Sequence, residues 1–110
     1  MGGKESGKVN RIIKKIGNFK NSVGAEKAVL FGSYARGNFK KNSDIDLILV
    51  SRRFRKKKFQ DRYKGLWIKW HIVFKMGYPV DFVCYTPEEF EREKKRVSIV
   101  STALKEGVEI

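Results

Sequence analysis

The chain has 110 residues, 41% hydrophobic and 13% aromatic. That is one domain with enough apolar content for a packed core, and too much for a disordered chain. Lys and Arg number 25 against 12 Asp and Glu, a formal net charge of +13, which points to a polyanionic partner: nucleic acid, a nucleoside triphosphate, an acidic protein or an anionic surface. One cysteine, Cys84, and one histidine, His71, exclude an internal disulfide and a Cys/His zinc cage. A cytoplasmic location fits this cysteine usage, and no apolar run is long enough to cross a membrane.

In chain order, residues 1–8 read as a frayed terminus and residues 9–110 as a single domain. Val9, Ile12, Ile13, Ile16, Phe19 and Val23 recur at helical spacing, with Gly24 to close the helix. Lys27 to Phe31 reads as a short buried strand, and the following GSYARGN turns the chain. Ser43 to Val50 alternates at its start and is apolar on both faces at its end, as in a central strand whose first residues emerge at a site. Phe59, Tyr63, Leu66, Trp67, Trp70 and Phe74 predict a second helix with that stripe facing the core. Ile68 and Ile72 fall on its other side, which suggests a second neighbour such as another copy of the chain. Val80 to Tyr85 reads as a third strand. Thr86-Pro87-Glu88-Glu89 is a capping box opening a last helix to about Lys105, and Val108–Ile110 suggests an edge strand. The expected fold is therefore α/β (α+β), a small mixed sheet of three to four strands covered by helices.

The candidate chemistry begins with Asp44 and Asp46. Side chains two apart on a strand share a face, so both carboxylates project together. At 4 Å they repel by about 4 kcal/mol in an effective dielectric near 20. Solvation, protonation or a divalent cation relieves this. By itself the pair is more often a solvated strand end than a metal site. Gly32-Ser33 ends the preceding strand; alone it is a turn, although glycine permits close backbone approach and serine adds a hydroxyl donor. Ten residues separate Ser33 from Asp44.

Together, GSYARG, the ten-residue interval and Asp44-Ile45-Asp46 resemble the signature of the DNA polymerase beta-like nucleotidyltransferase superfamily. The GSYARG form is similar to its minimal nucleotidyltransferase branch, whose members are often antitoxin partners of HEPN-domain toxins. The resemblance implies a polymerase beta-like fold, a third carboxylate on a later strand, and two Mg²⁺ ions, with Mn²⁺ as a substitute. Asp81, a lone acid in an apolar strand, is the candidate for that third metal ligand beside Asp44 and Asp46. It also implies that Gly32 and Ser33 hold the β- and γ-phosphates of a triphosphate, most simply ATP. Arg36 either touches a phosphate or braces the loop, and Gly37 serves the turn. The chain carries no further domain to choose an acceptor. The resemblance thus suggests AMP transfer to a hydroxyl presented by a HEPN-type partner protein.

The run Arg52-Arg53-Phe54-Arg55-Lys56-Lys57-Lys58 lies outside that motif. Such a run is most often a solvated loop, and otherwise grips RNA or an acidic surface. It supports the alternative of a nucleic-acid-binding module with an idle active site, which has no need of the carboxylate set. His71 and Cys84 are assigned to packing.

Overall fold

The computed structural model describes residues 3–110; Met1 and Gly2 lie outside the described residues. Helix α1 spans Gly3–Val23, so from Gly3 onward the segment expected to fray continues the helix. Each residue added to a formed helix gains a backbone bond, and Lys and Glu are good helix formers. Strand β1 (Lys27–Phe31) leads into the single-turn helix α2 (Ser33–Arg36), and then β2 (Ile45–Val50). Strand β3 (Val80–Tyr85), helix α4 (Pro87–Lys94), helix α5 (Ile99–Glu106) and strand β4 (Val108–Glu109) complete the chain, with one more short helix, α3 (Lys64–Ile68), between β2 and β3.

The sheet order is β3-β2-β1-β4. Strands β1 and β2 are antiparallel, β1 and β4 are antiparallel, and β2 and β3 are parallel. The fold is thus mixed α/β with a four-stranded mixed sheet, as the sequence implies. Period-two alternation splits the core between its two faces. Ile45, Leu47 and Leu49 join Ile12, Ile16 and Phe19 of α1, together with Trp70. Val29, Ile48 and Val50 pack under Phe90 of α4 and Val100 and Ala103 of α5. Phe19 sets its ring edge-on to Trp70, with centroids 5.1 Å apart. Cys84 is buried, which pushes its thiol up to about 12, and its role is packing.

Two expected helices are broken. The segment 59–74 holds a 3₁₀ turn (Phe59–Asp61), then α3, then a π-helical turn (Lys69–Val73). Only part of its aromatic stripe faces the core: Leu66 and Trp70 are buried, whereas Phe59, Tyr63 and Trp67 are about half exposed. Trp70 is fixed by its indole N–H, which donates to the carbonyl of Tyr78 at 2.9 Å, and the π turn allows that reach. His71 packs against Trp67, with ring centroids 4.5 Å apart. Ile68 and Ile72 are exposed, as their place opposite the main stripe implies.

The helix expected from 87 to about 105 is two helices. The capping box at Thr86 is present: its hydroxyl accepts from the Glu89 N–H, and the Glu89 carboxylate accepts from the Thr86 N–H. A second box at Ser98 restarts the chain. Its hydroxyl accepts from the Ser101 N–H at 3.3 Å and donates to the carbonyl of Glu93 at 2.7 Å. That serine offers the backbone a better partner at a cap than inside a helix.

The basic run is a structured turn. Arg52–Lys56 forms a 3₁₀ helix capped by Ser51, and Phe54 is buried in the core. Arg52 pairs with Glu26 at 2.9 Å, and Arg55 pairs with Glu88.

Candidate active site

The antiparallel register sets Phe31, the last residue of β1, opposite Asp46. The parallel register sets Asp46 beside Asp81. Adjacent strands lie about 4.8 Å apart, so these two carboxylates stand side by side on the face that carries α4 and α5. Asp44 precedes β2 by one residue and is exposed, as is Asp81, while Asp46 is half-buried. No ion pair among the described residues involves any of the three.

Burial first, then the charges of Asp81 and Asp44, hold Asp46 above its ordinary value, with Arg36 pulling the other way. Arg36 therefore relieves the row only in part. Among the described residues no three His, Cys, Asp or Glu side chains converge into a ready-made metal cage. A hard cation that takes one or two carboxylates and fills its shell with substrate phosphates and water needs no such cage. Asp44, Asp46 and Asp81 fit that kind of cation: three carboxylates outside any ion pair among the described residues, one of them half-buried.

Gly32 bounds the row. Its backbone has φ +74° and ψ −153°, a conformation nearly confined to glycine. A Cβ placed there would lie 2.1 Å from the Asp46 Oδ2. The glycine thus lets the loop backbone lie directly against the carboxylate. Ser33 follows, half-buried, with its hydroxyl outside the hydrogen bonds found among the described residues. Helix α2 is only one turn long, so the loop rather than a helix dipole does the positioning. Gly37 closes α2 by donating to the Ser33 carbonyl.

Two side chains of the motif, Tyr34 and Arg36, hold this loop against residues outside it. Tyr34 is buried and stacks on Phe39 with centroids 4.5 Å apart, and it meets Tyr78 edge-on at 6.2 Å. The Lys8 ammonium lies 5.3 Å from the Phe39 ring and 5.6 Å from that of Tyr78. Arg36 reaches across to Glu106 of α5 at 3.4 Å. In this state Arg36 braces the loop, and its charge also bears on Asp46. The only sequence signal for these anchors is the aromatic residue directly after Ser33; Tyr78 and Glu106 arrive through the fold.

A cavity lies on each flank of the row. Beside β1, Phe31, Val97, Ile99 and Thr102 line one of about 330 Å³. Beside β3, Tyr63, Trp67, Val80, Asp81 and Phe82 line one of about 300 Å³. The second is lined in part by the candidate site residue Asp81.

The site is thus a glycine loop against paired carboxylates, on an antiparallel β1–β2 unit with a parallel β3. The comparisons give the family. The nucleotidyltransferase domain model matches residues 10–110, and the chain belongs to that family. A crystal structure from Sulfolobus solfataricus, of a protein provisionally assigned as a nucleotidyltransferase, shares the fold. It is 23% identical at a TM-score of 0.58, over 84% of this chain and 82% of that one. A second structure with the same provisional assignment is 24% identical at a TM-score of 0.48, over 76% of this chain and 87% of that one. No curated protein sequence matches.

Proposed function

We propose that the protein transfers a nucleoside monophosphate, AMP from ATP in the simplest case, to a hydroxyl group of a partner protein. The family supports nucleotidyl transfer in general. The observation that carries the reading is Asp46 set beside Asp81 and under Gly32.

The sheet gives the site a direction. From β1 to β3 it runs Gly32, Asp46, Asp81. The triphosphate belongs on the β1 flank, where the Gly32 backbone and Ser33 hydroxyl can donate to phosphate oxygens. Its base then falls toward the cavity lined by Phe31 and Ile99. The acceptor enters on the β3 flank, between Tyr63, Trp67 and Asp81. Its oxygen bonds to the α-phosphorus, the α–β anhydride bond breaks, and pyrophosphate leaves. The acceptor proton passes to a carboxylate oxygen of Asp81, the exposed acid on that side. Asp44, Asp46 and Asp81 would hold Mg²⁺ or Mn²⁺, which when bound neutralises the phosphates and acidifies the acceptor. The partner in this reading is a HEPN-type protein, which presents the acceptor hydroxyl.

Calorimetry with a non-hydrolysable ATP analogue and Mg²⁺ tests the site. Wild type binds, Ser33→Ala binds more weakly by about 1–3 kcal/mol through the lost donor, and Asp44→Asn/Asp46→Asn loses the Mg²⁺ dependence. Equal, metal-independent binding by all three proteins would remove the reading.

A further inference from the structure

The basic run divides its cations between two sides of its turn. Arg52 and Arg55 are matched by Glu26 and Glu88. Arg53 and Lys57 are not, and they line a separate cavity of about 170 Å³ with Lys69 and Arg62. No ion pair among the described residues involves Arg53, Lys57 or Lys69. Arg62 is buried and is neutralised by Glu89 at 2.6 Å. Three uncompensated positive charges therefore surround a small cavity whose lining holds no carboxylate.

The cavity is built rather than left over. Ser51, itself buried, donates to the Gly24 carbonyl at 3.2 Å and accepts from the Arg53 N–H at 3.1 Å, tying the end of α1 to the run. Gly24 sits at φ +70°, and a Cβ there would lie 2.6 Å from the Arg53 guanidinium carbon. The missing side chain is what allows that guanidinium to lie over the Gly24 backbone. Phe54 and Leu66 give the cavity an apolar floor.

We propose that this cavity is a second, separate anion site, for a phosphate dianion or the terminal phosphate of a phosphomonoester. It lies at the opposite end of β2 from Asp46 and Gly32, a strand length of about 15–20 Å away, so a triphosphate in the active site does not fill it. A phosphomonoester carries a charge of about −1.5 to −2 on three acceptor oxygens, which three converging cations match better than one carboxylate does. The cavity is a single small concavity, and the aromatic ring in its lining, Phe54, is buried. Single-strand binders instead line a long groove with exposed stacking rings.

The test titrates inorganic phosphate into the full-length chain in metal-free buffer with a chelator, read by amide NMR and melting temperature. Expected are shifts at Gly24, Arg53, Lys57 and Gly65, none at Gly32 to Arg36, and a rise in melting temperature. Lys57→Gln/Lys69→Gln should bind at least tenfold more weakly and melt no lower than wild type without phosphate. Lys14→Gln/Lys15→Gln removes the same charge from the exposed face of α1 and should bind as wild type does. Asp46→Asn should also bind unchanged. Equal weakening by both lysine pairs would reduce the effect to net charge and overturn the site. So would shifts confined to the Gly32 loop, or tighter binding of a single-stranded RNA with shifts spread along α1.

Discussion

At Gly32 the absence of one methyl group decides the geometry of the site. The backbone angle there is nearly restricted to glycine, and an added Cβ would collide with the Asp46 Oδ2. Gly32→Ala should therefore cost about 1–3 kcal/mol of stability and lose triphosphate binding. Thermal denaturation and calorimetry check both, and wild-type binding by this variant would contradict the placement of the phosphates. Asp46 makes a different prediction. Its pKa is raised in the fold, chiefly by burial, from an ordinary value of 3.8. A raised carboxylate favours the native state below 3.8 and loses that stabilisation as pH climbs through the folded value. Without metal, Asp46→Asn should melt higher than wild type at pH 7, with the gain shrinking as pH falls toward 3.8. A gain independent of pH would remove the charge explanation. Strand periodicity alone puts Asp44 and Asp46 on one face, whereas Ser33 joins them only through the motif resemblance. The contacts among Tyr34, Phe39, Tyr78 and Lys8 were not legible, because they meet only after distant segments pack.

Elements ended where local hydrogen bonds outbid the apolar pattern. Ser98 is the clearest case, since a reading by hydrophobic spacing runs one helix through it. Ser98→Ala removes the cap of α5, should cost about 1 kcal/mol, and should lower the melting temperature by about 4–8 °C. An unchanged midpoint would mean that α5 is held by Val100 and Ala103 alone. The aromatic stripe of residues 59–74 misled for a related reason. Period 3.6 assumes an unbroken α-helix, and the π turn after Ile68 shifts that phase. Tyr63 and Trp67, which precede that turn, are half exposed beside Asp81. Arg62, on the same segment, is a connector: it donates to the carbonyls of Lys57 and Cys84 and pairs with Glu89. Arg62→Ala removes the donor to both carbonyls and the counter-charge of Glu89, and should destabilise by about 3 kcal/mol. Arg55→Ala, which breaks an exposed pair, should leave the urea midpoint nearly unmoved. Similar losses from the two would contradict the burial difference.

For the whole molecule, the candidate site falls within the strongly basic part of the chain. The positive excess lies entirely in residues 1–81, whereas residues 82–110 carry five basic and six acidic side chains. Among the described residues, no helix is long and apolar enough to cross a membrane. The strand order was less legible than the strands: a parallel β2–β3 pair beside antiparallel neighbours depends on how the segment 51–79 crosses, which local pattern does not encode. That crossing is nevertheless what sets Asp81 next to Asp46, and the enzymatic reading stands on that pairing. Its most direct test supplies the chain, Mg²⁺ and a purified HEPN-type protein with ATP labelled at either the α- or the γ-phosphate. Label from the α position should appear on the acceptor and label from the γ position should leave as pyrophosphate, with both lost in Asp46→Asn and Asp81→Asn. Transfer of the γ label, or α-label transfer that survives both substitutions, would contradict nucleotidyl transfer at this site.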